Sequence, residues 1–342
     1  MKNIFINFIK SVPLALSGVA LGLAALGNVL RTTFTQSPEM TGIDTIGIIR
    51  YSIGALALLL LIMVALRIAF DFSHVKQELT YTHKQDEWKT SIPLSSLATI
   101  TMAVMLLAGY IRPHASLFAL IVWYIALILQ CAIMIFFAIR FIPKFKIYAV
   151  YPSWFIVGVG IVVASVTAPT MELIMLGQIF FYIGLVLYFI IFALVILKMI
   201  TAKYFMEAAR PTIAIFAAPM SLLVVGYFSS FRGTQQWSYP LFYFMLIAAL
   251  FIYAFVLYKM ISLIRIKFYA TYAGFTFPLV ISATAFRIAA NITQNQFLNT
   301  FAHFALWLSI LACAFVVVHY IKYFIFWASF SSPSKKIDNN NK

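Results

Sequence analysis

The sequence predicts an all-α polytopic membrane protein with ten transmembrane helices, paired as five helical hairpins. Three observations predict it. Of the 342 residues, 64% are hydrophobic and only 10% are charged, whereas a soluble domain carries about 25% charged residues. The apolar runs are long, repeated and nearly free of ionisable groups, which is the pattern of bilayer-spanning helices. A proline also stands near the start of every second run, at Pro13, Pro93, Pro152, Pro219 and Pro278, in the segments SVPLAL, SIPLSS, YPSWFI, AAPMSL and TFPLVI. Each of these runs is followed by one that ends in a basic residue: Arg67, Arg140, Lys198, Arg265 and Lys322. One bent and one straight helix per copy is the simplest reading. Proline-broken helices are tolerated in lipid where other groups satisfy the freed backbone or where it lines a cavity. The prolines therefore point to a pathway through the membrane.

The first span covers 11–30, the second 43–69, the third 92–111, the fourth 114–142 and the fifth 152–168. The sixth covers 171–199, the seventh 211–230, the eighth 238–264, the ninth 270–290 and the tenth 299–328. The opening stretch MKNIFINFIKSVPLALSG has no small-residue cleavage site followed by a polar sequence, so it reads as the lead-in to the first span rather than a leader. Odd spans are short and hold the prolines together with small or hydroxyl residues: Ser17, Gly18, Gly22 and Gly27, then Ser95 and Ser96, Gly158, Gly160 and Ser165, Ser221 and Gly226, Ser282 and Thr284. Even spans are longer and rich in Leu, Ile and Phe, as in LALLLLIMVAL. Small residues permit close helix approach or leave open space, and bulky apolar ones suit lipid. This predicts two layers, odd helices inside and even helices outside. The 71–90 connection (DFSHVKQELTYTHKQDEWKT) reads as a solvated connector. Residues 1–330 read as one transmembrane domain, and 331–342 (SSPSKKIDNNNK) as a disordered cytoplasmic tail.

The formal net charge of +15 suggests nucleic acid at first sight, but its distribution argues against that. On this map 19 of the 24 Lys and Arg fall on one side, leaving Arg31, Arg50, Arg112, Arg232 and Arg287 on the other. That is the positive-inside bias, and it places both termini in the cytoplasm. The basic residues read as orientation signals against anionic headgroups, with no nucleic-acid partner. None of the nine carboxylates falls mid-membrane, so the Asp/Glu relay of a proton-coupled pump is missing. His303 and His319 share the last span, but their spacing puts them on nearly opposite faces, which suits neither a metal nor a haem pair. Cys131 and Cys313 fall inside apolar spans and read as small core residues. No hydrolase, zinc-protease or nucleotide-binding motif stands in a meaningful context. The sequence thus predicts no enzyme, no metal site and no cofactor.

Four residues are weighed as site candidates, of which Phe277 is not singled out by its position alone. Gly18 and Gly22 form a GxxxG pattern, which either packs helices closely or smooths a conduit. Arg287, near the outer end of the ninth span, either snorkels to headgroups or gathers anions as an outer-mouth charge. Phe277 immediately precedes a proline that restricts its backbone. Its ring either packs in the core or projects from a bend into the central space.

The segments PLALSGVALGLAAL, YPSWF, RPTIAIFAAPMSLLVVGYFS and AGFTFPLVISATAF together resemble the tellurite-resistance/dicarboxylate transporter family, which includes the bacterial TehA proteins and the plant slow anion channels. The resemblance runs over 11–290. It implies ten helices in quasi-five-fold order, with proline-kinked inner helices around a pore and assembly as a homotrimer with one pore per subunit. It implies that Phe277 is the pore gate, that Pro13, Pro93, Pro152, Pro219 and Pro278 are the pore-helix kinks, and that Gly18 and Gly22 are small pore-lining residues. The function it implies is an anion channel or facilitator for small inorganic or organic anions in the bacterial inner (plasma) membrane. The alternative is a secondary carrier for C4-dicarboxylates or other small organic or sulfur oxyanions.

Overall fold

The computed structural model describes residues 2–34, 44–80, 88–143, 145–201 and 206–331. It is helical, with no strand among the described residues. A short helix α1 (Lys2–Lys10) leads to α2 (Leu16–Phe34) and α3 (Thr45–Phe70). Helix α4 (Phe72–Thr80) precedes α5 (Trp88–Ile111) and α6 (Ser116–Phe141). The next inner segment is broken into α7 (Trp154–Gly158), α8 (Val162–Thr167) and a 3₁₀ turn (Ala168–Met171), and α9 (Ile174–Thr201) follows. A 3₁₀ stretch (Glu207–Phe216) runs into α10 (Ala217–Phe231), followed by α11 (Tyr239–Leu263). A second 3₁₀ stretch (Ala270–Phe275) runs into α12 (Phe277–Thr293), and α13 (Gln296–Ser331) closes the chain.

Eight helical segments among the described residues are long and apolar enough to cross a membrane, so the chain is a polytopic, all-helical integral membrane protein. The expected first and fifth spans are not among the eight. The first corresponds to α2, which starts at Leu16 because Ser11–Ala15 form turns around Pro13. The fifth corresponds to the broken α7–α8 segment.

Burial separates two layers, as the residue content predicts. In α5, the Glu207–Phe231 segment and the Ala270–Thr293 segment, 67–83% of the apolar window is buried; in α3, α6, α9, α11 and α13 the share is 28–39%. The outer helices leave long apolar side chains such as Leu117, Met175, Phe251 and Phe297 exposed. The inner segments contact one another in a closed cycle: α2 with α5, α5 with α7 and α8, α8 with α10, α10 with α12, and α12 back to α2. Each outer helix packs on an inner partner.

Hydroxyl side chains clasp every neighbouring pair in that cycle. Ser17 Oγ and Thr99 Oγ1 lie 2.6 Å apart between α2 and α5. Ser95 Oγ donates to the Ser153 carbonyl at 2.9 Å. Ser230 Oγ donates to Ser165 O at 2.7 Å between α10 and α8. Ser221 and Ser282 hydroxyls meet at 2.9 Å between α10 and α12. Thr276 Oγ1 donates to Gly18 O at 3.0 Å, joining the bend before α12 to α2. Hydrophobic driving force between helices is small in lipid, so such bonds, at about 0.6 kcal/mol each, and small-residue packing set helix association.

The prolines break the inner layer in three ways, not as five identical kinks. Pro93 lies inside α5. Pro219 and Pro278 occupy the first turns of α10 and α12, where the absent N–H costs little. Pro13 and Pro152 sit in turns just ahead of α2 and α7. The expected solvated connector after Asp71 begins as helix α4, whose Val75 is buried. Residues 81–87 of that connector and 332–342 of the expected tail lie outside the described residues; Ser331 ends α13.

Two basic residues expected at the lipid surface are also buried. Arg67 is 7% exposed; its Nη1 donates to Val12 O at 2.6 Å and its Nη2 pairs with Glu78. Lys198 is 1% exposed, with Nζ 3.2 Å from the Tyr151 ring centroid. Both are drawn inward because α3 and α9 pack against the inner layer at those positions.

Candidate pore

Two cavities lie within the inner layer. The first, about 70 Å³, is walled by the N-terminal ends of the inner segments: Gly18 of α2, Ser95 of α5, Ser153 ahead of α7, Pro219 of α10 and Pro278 of α12 all line it. A single water needs at least about 10–15 Å³ by this kind of measure, so the space suits a few waters or one small anion. No charged side chain lines it. The second cavity, a vestibule of about 450 Å³, is walled mostly by the C-terminal halves of the same segments, with Arg50 of α3 added.

Phe277 and Leu222 are the two residues that line both cavities. Both are buried, at 6% and 2% exposure. The position of Phe277 follows from local chain chemistry. Thr276 adopts φ −83°, ψ −81°, between the 3₁₀ stretch and α12, and Pro278 prevents the helix from extending backwards through this point. Thr276 Oγ1 is bonded to both Ala273 O (2.8 Å) and Gly18 O (3.0 Å), which fixes the bend against α2.

The two predicted glycines have different roles. Gly18 lines the first cavity and packs on Ala273, where an added Cβ would come within 3.2 Å of the Ala273 methyl. Gly22 lines neither cavity. A Cβ there would lie 2.5 Å from Thr276 Cβ and 2.9 Å from Phe277 N. Gly22 therefore lets the bend approach α2.

Arg287 lines the vestibule together with Arg31 and Arg50, and no carboxylate residue joins them in its wall. Arg287 Nη1 donates to Asn299 Oδ1 at 2.5 Å and contacts His303 Nε2 at 3.3 Å, while its buried Nε has no partner. Arg50 donates through Nε to Asn28 Oδ1 (3.0 Å) and stacks over the Tyr110 ring at 4.2 Å. Arg31 pairs with Asp44. Sequence reasoning put these arginines on one side of the membrane but missed that they converge on one space, and it missed Leu222 altogether. The only available signal for Leu222 was its position three residues after Pro219 in the seventh-span segment. His303 and His319 have separate surroundings: His319 Nδ1 donates to Phe315 O at 2.8 Å. Among the described residues no group of three or more His, Cys, Asp or Glu could hold a metal ion. Cys131 and Cys313 are free thiols.

A two-layered bundle of apolar helices, with an uncharged cavity and an arginine-lined cavity inside it, defines a polytopic integral membrane protein. The comparison with known families specifies it further: the model described as voltage-dependent anion channel (SLAC1) matches residues 11–321, and the chain belongs to that family. It is a family of transport proteins acting on small anions. No individual curated protein matches the chain.

Proposed function

We propose that this protein is an anion channel or facilitator in which small anions cross each subunit between the inner helices and Phe277 is the gate. The observation that carries the proposal is the shared wall: Phe277 and Leu222 line both cavities. The closed cycle of inner contacts supports ten spans, paired as five hairpins in a quasi-five-fold ring, with α2 and the broken α7–α8 segment as the two further spans. Residues 1–330 then form one domain. The uncharged first cavity fits conduction, which needs binding weak enough to release the ion. The three vestibule arginines, Arg287 included, would gather anions at the outer mouth. The basic bias supports both termini in the cytoplasm, and the setting proposed for the protein is a bacterial inner membrane. The exposed apolar outer helices supply surface for a homotrimer.

Turning the Phe277 ring off its rotamer costs only about 0.5–1.5 kcal/mol, so the packing around this buried ring sets the barrier. Planar-bilayer recording with chloride, nitrate, sulfite and malate tests the proposal. Phe277→Ala is expected to raise anion current; an unchanged current from a well-folded variant overturns the gate. A second reading, a carrier for C4-dicarboxylates or related oxyanions, is favoured by the size and triple-arginine lining of the vestibule. Saturable, proton-dependent malate uptake into liposomes would select it.

A further inference from the structure

The wall of the first cavity contains one hydroxyl unlike the others. Ser95, Ser96, Thr99, Thr212 and Thr271 all line this cavity, and each donates its O–H to a backbone carbonyl: Ser91, Ile92, Ser96, Ala209 and Ala208 respectively. Ser153 lines it too. Ser153 is 1% exposed, and its Oγ has no hydrogen-bond partner. It precedes α7 without capping it. Only its carbonyl is engaged, accepting from Ser95 Oγ at 2.9 Å and from Ile156 N at 3.1 Å. A buried hydroxyl left unpaired costs about 1–3 kcal/mol, so it is expected to bond to whatever occupies the adjoining space.

The field in that space favours an anion. The first residues of two inner helices of 15 or more residues line it: Gly18 of α2, and Phe277 and Pro278 of α12. The N-terminus of each helix carries a partial positive charge of about half an electron. The lining holds no carboxylate to oppose them and no Lys or Arg to trap an ion. Positive dipole ends and a donor hydroxyl without a formal charge give attraction that still permits release.

We propose that Ser153 Oγ–H is the hydrogen-bond donor of a binding site for one small, partly dehydrated monovalent anion, of halide or nitrate size, on the N-terminal side of Phe277. The inference rests on the reading of the two cavities as one conduction path and adds to it the step at which the ion pauses before the gate. The site suits halide or nitrate better than a dicarboxylate, because it is small and offers a single free donor.

Crystals of the full chain soaked in bromide test the site directly by anomalous diffraction, alongside bromide flux from liposomes. An anomalous peak within hydrogen-bonding reach of Ser153 Oγ is expected in the wild type. It should vanish in Ser153→Ala and return in Ser153→Thr, with half-saturation of bromide flux rising about tenfold in the alanine variant. A wild-type map with bromide only at surface positions overturns the site, as does a peak that persists undiminished in Ser153→Ala. The wild-type map needs no variant to fold and no conduction to occur. Liposomes that pass no anion even with Phe277→Ala therefore overturn the channel reading alone, and a vacant wild-type map overturns the site alone.

Discussion

Gly22→Ala places one methyl group where the bend carrying Phe277 touches α2. The new Cβ would stand 2.5 Å from both Cβ and Oγ1 of Thr276 and 2.9 Å from the Phe277 nitrogen. Carbon contacts settle at about 3.5–4.0 Å, so α2 and the bend must separate by roughly 1 Å. Thr276 cannot turn aside cheaply. It is β-branched and stiff at χ1, and a new rotamer would give up its bonds to Gly18 O and Ala273 O. Overpacking of this kind costs about 1–3 kcal/mol. The displacement falls on Phe277, which lines both cavities and is the proposed gate, so two readouts should move together. Anion flux in liposomes should rise towards the Phe277→Ala level, and the detergent-solubilised protein should melt at lower temperature. Gly18→Ala is the graded control, with its nearest contact at 3.2 Å on a methyl group. Gly109→Ala is the neutral control for stability, because nothing lies within 4 Å of its added Cβ. A Gly22→Ala protein with wild-type flux and melting temperature would refute the coupling of this contact to the gate.

Three further outcomes are expected. Leu222→Ala should raise flux less than Phe277→Ala, and the double variant should fall short of the summed effects, because both residues line both cavities beside the proposed gate; additive effects in a double-mutant cycle would separate them. Arg67→Ala should lower the melting temperature more than Glu78→Gln, because it strands the buried Val12 carbonyl, at about 1–3 kcal/mol, whereas Glu78 is 39% exposed; equal shifts would contradict this. The Gly47 N–H bond and then the Arg31 guanidinium hold the exposed Asp44 carboxyl below its ordinary value of 3.8, so its small contribution to the start of α3 is present above that pH and is lost as pH falls through the lowered folded value; hydrogen exchange at the Gly47 amide should rise there, and Asp44→Asn should abolish that pH dependence.

The amino-acid order by itself determined the class of molecule. Runs such as LALLLLIMVAL cannot be solvated, and their repetition between basic termini leaves a membrane bundle as the outcome. It also determined the layering, because prolines, glycines and serines gather in alternate runs and those runs are the ones buried. A position before Pro278 restricts the backbone of Phe277 but does not single it out among 34 phenylalanines; only the family resemblance did. Only the tertiary structure decided what these residues touch. Gly18 and Gly22 are four residues apart and indistinguishable as a motif, yet one lines a cavity and the other abuts Thr276. Arg31, Arg50 and Arg287 come from α2, α3 and α12 and share one cavity because α3 packs on α2 and the inner helices close into a cycle. Ser153 carries no local signal, and Leu222 only its place three residues after Pro219. Leu222 is set apart by lining both cavities, and Ser153 by being the hydroxyl of its cavity that no carbonyl accepts. Hydropathy and proline spacing act over a few residues and survive in any arrangement of the helices; which side chains meet across a cavity depends on the rotation and closure of five separate segments, which no local pattern encodes.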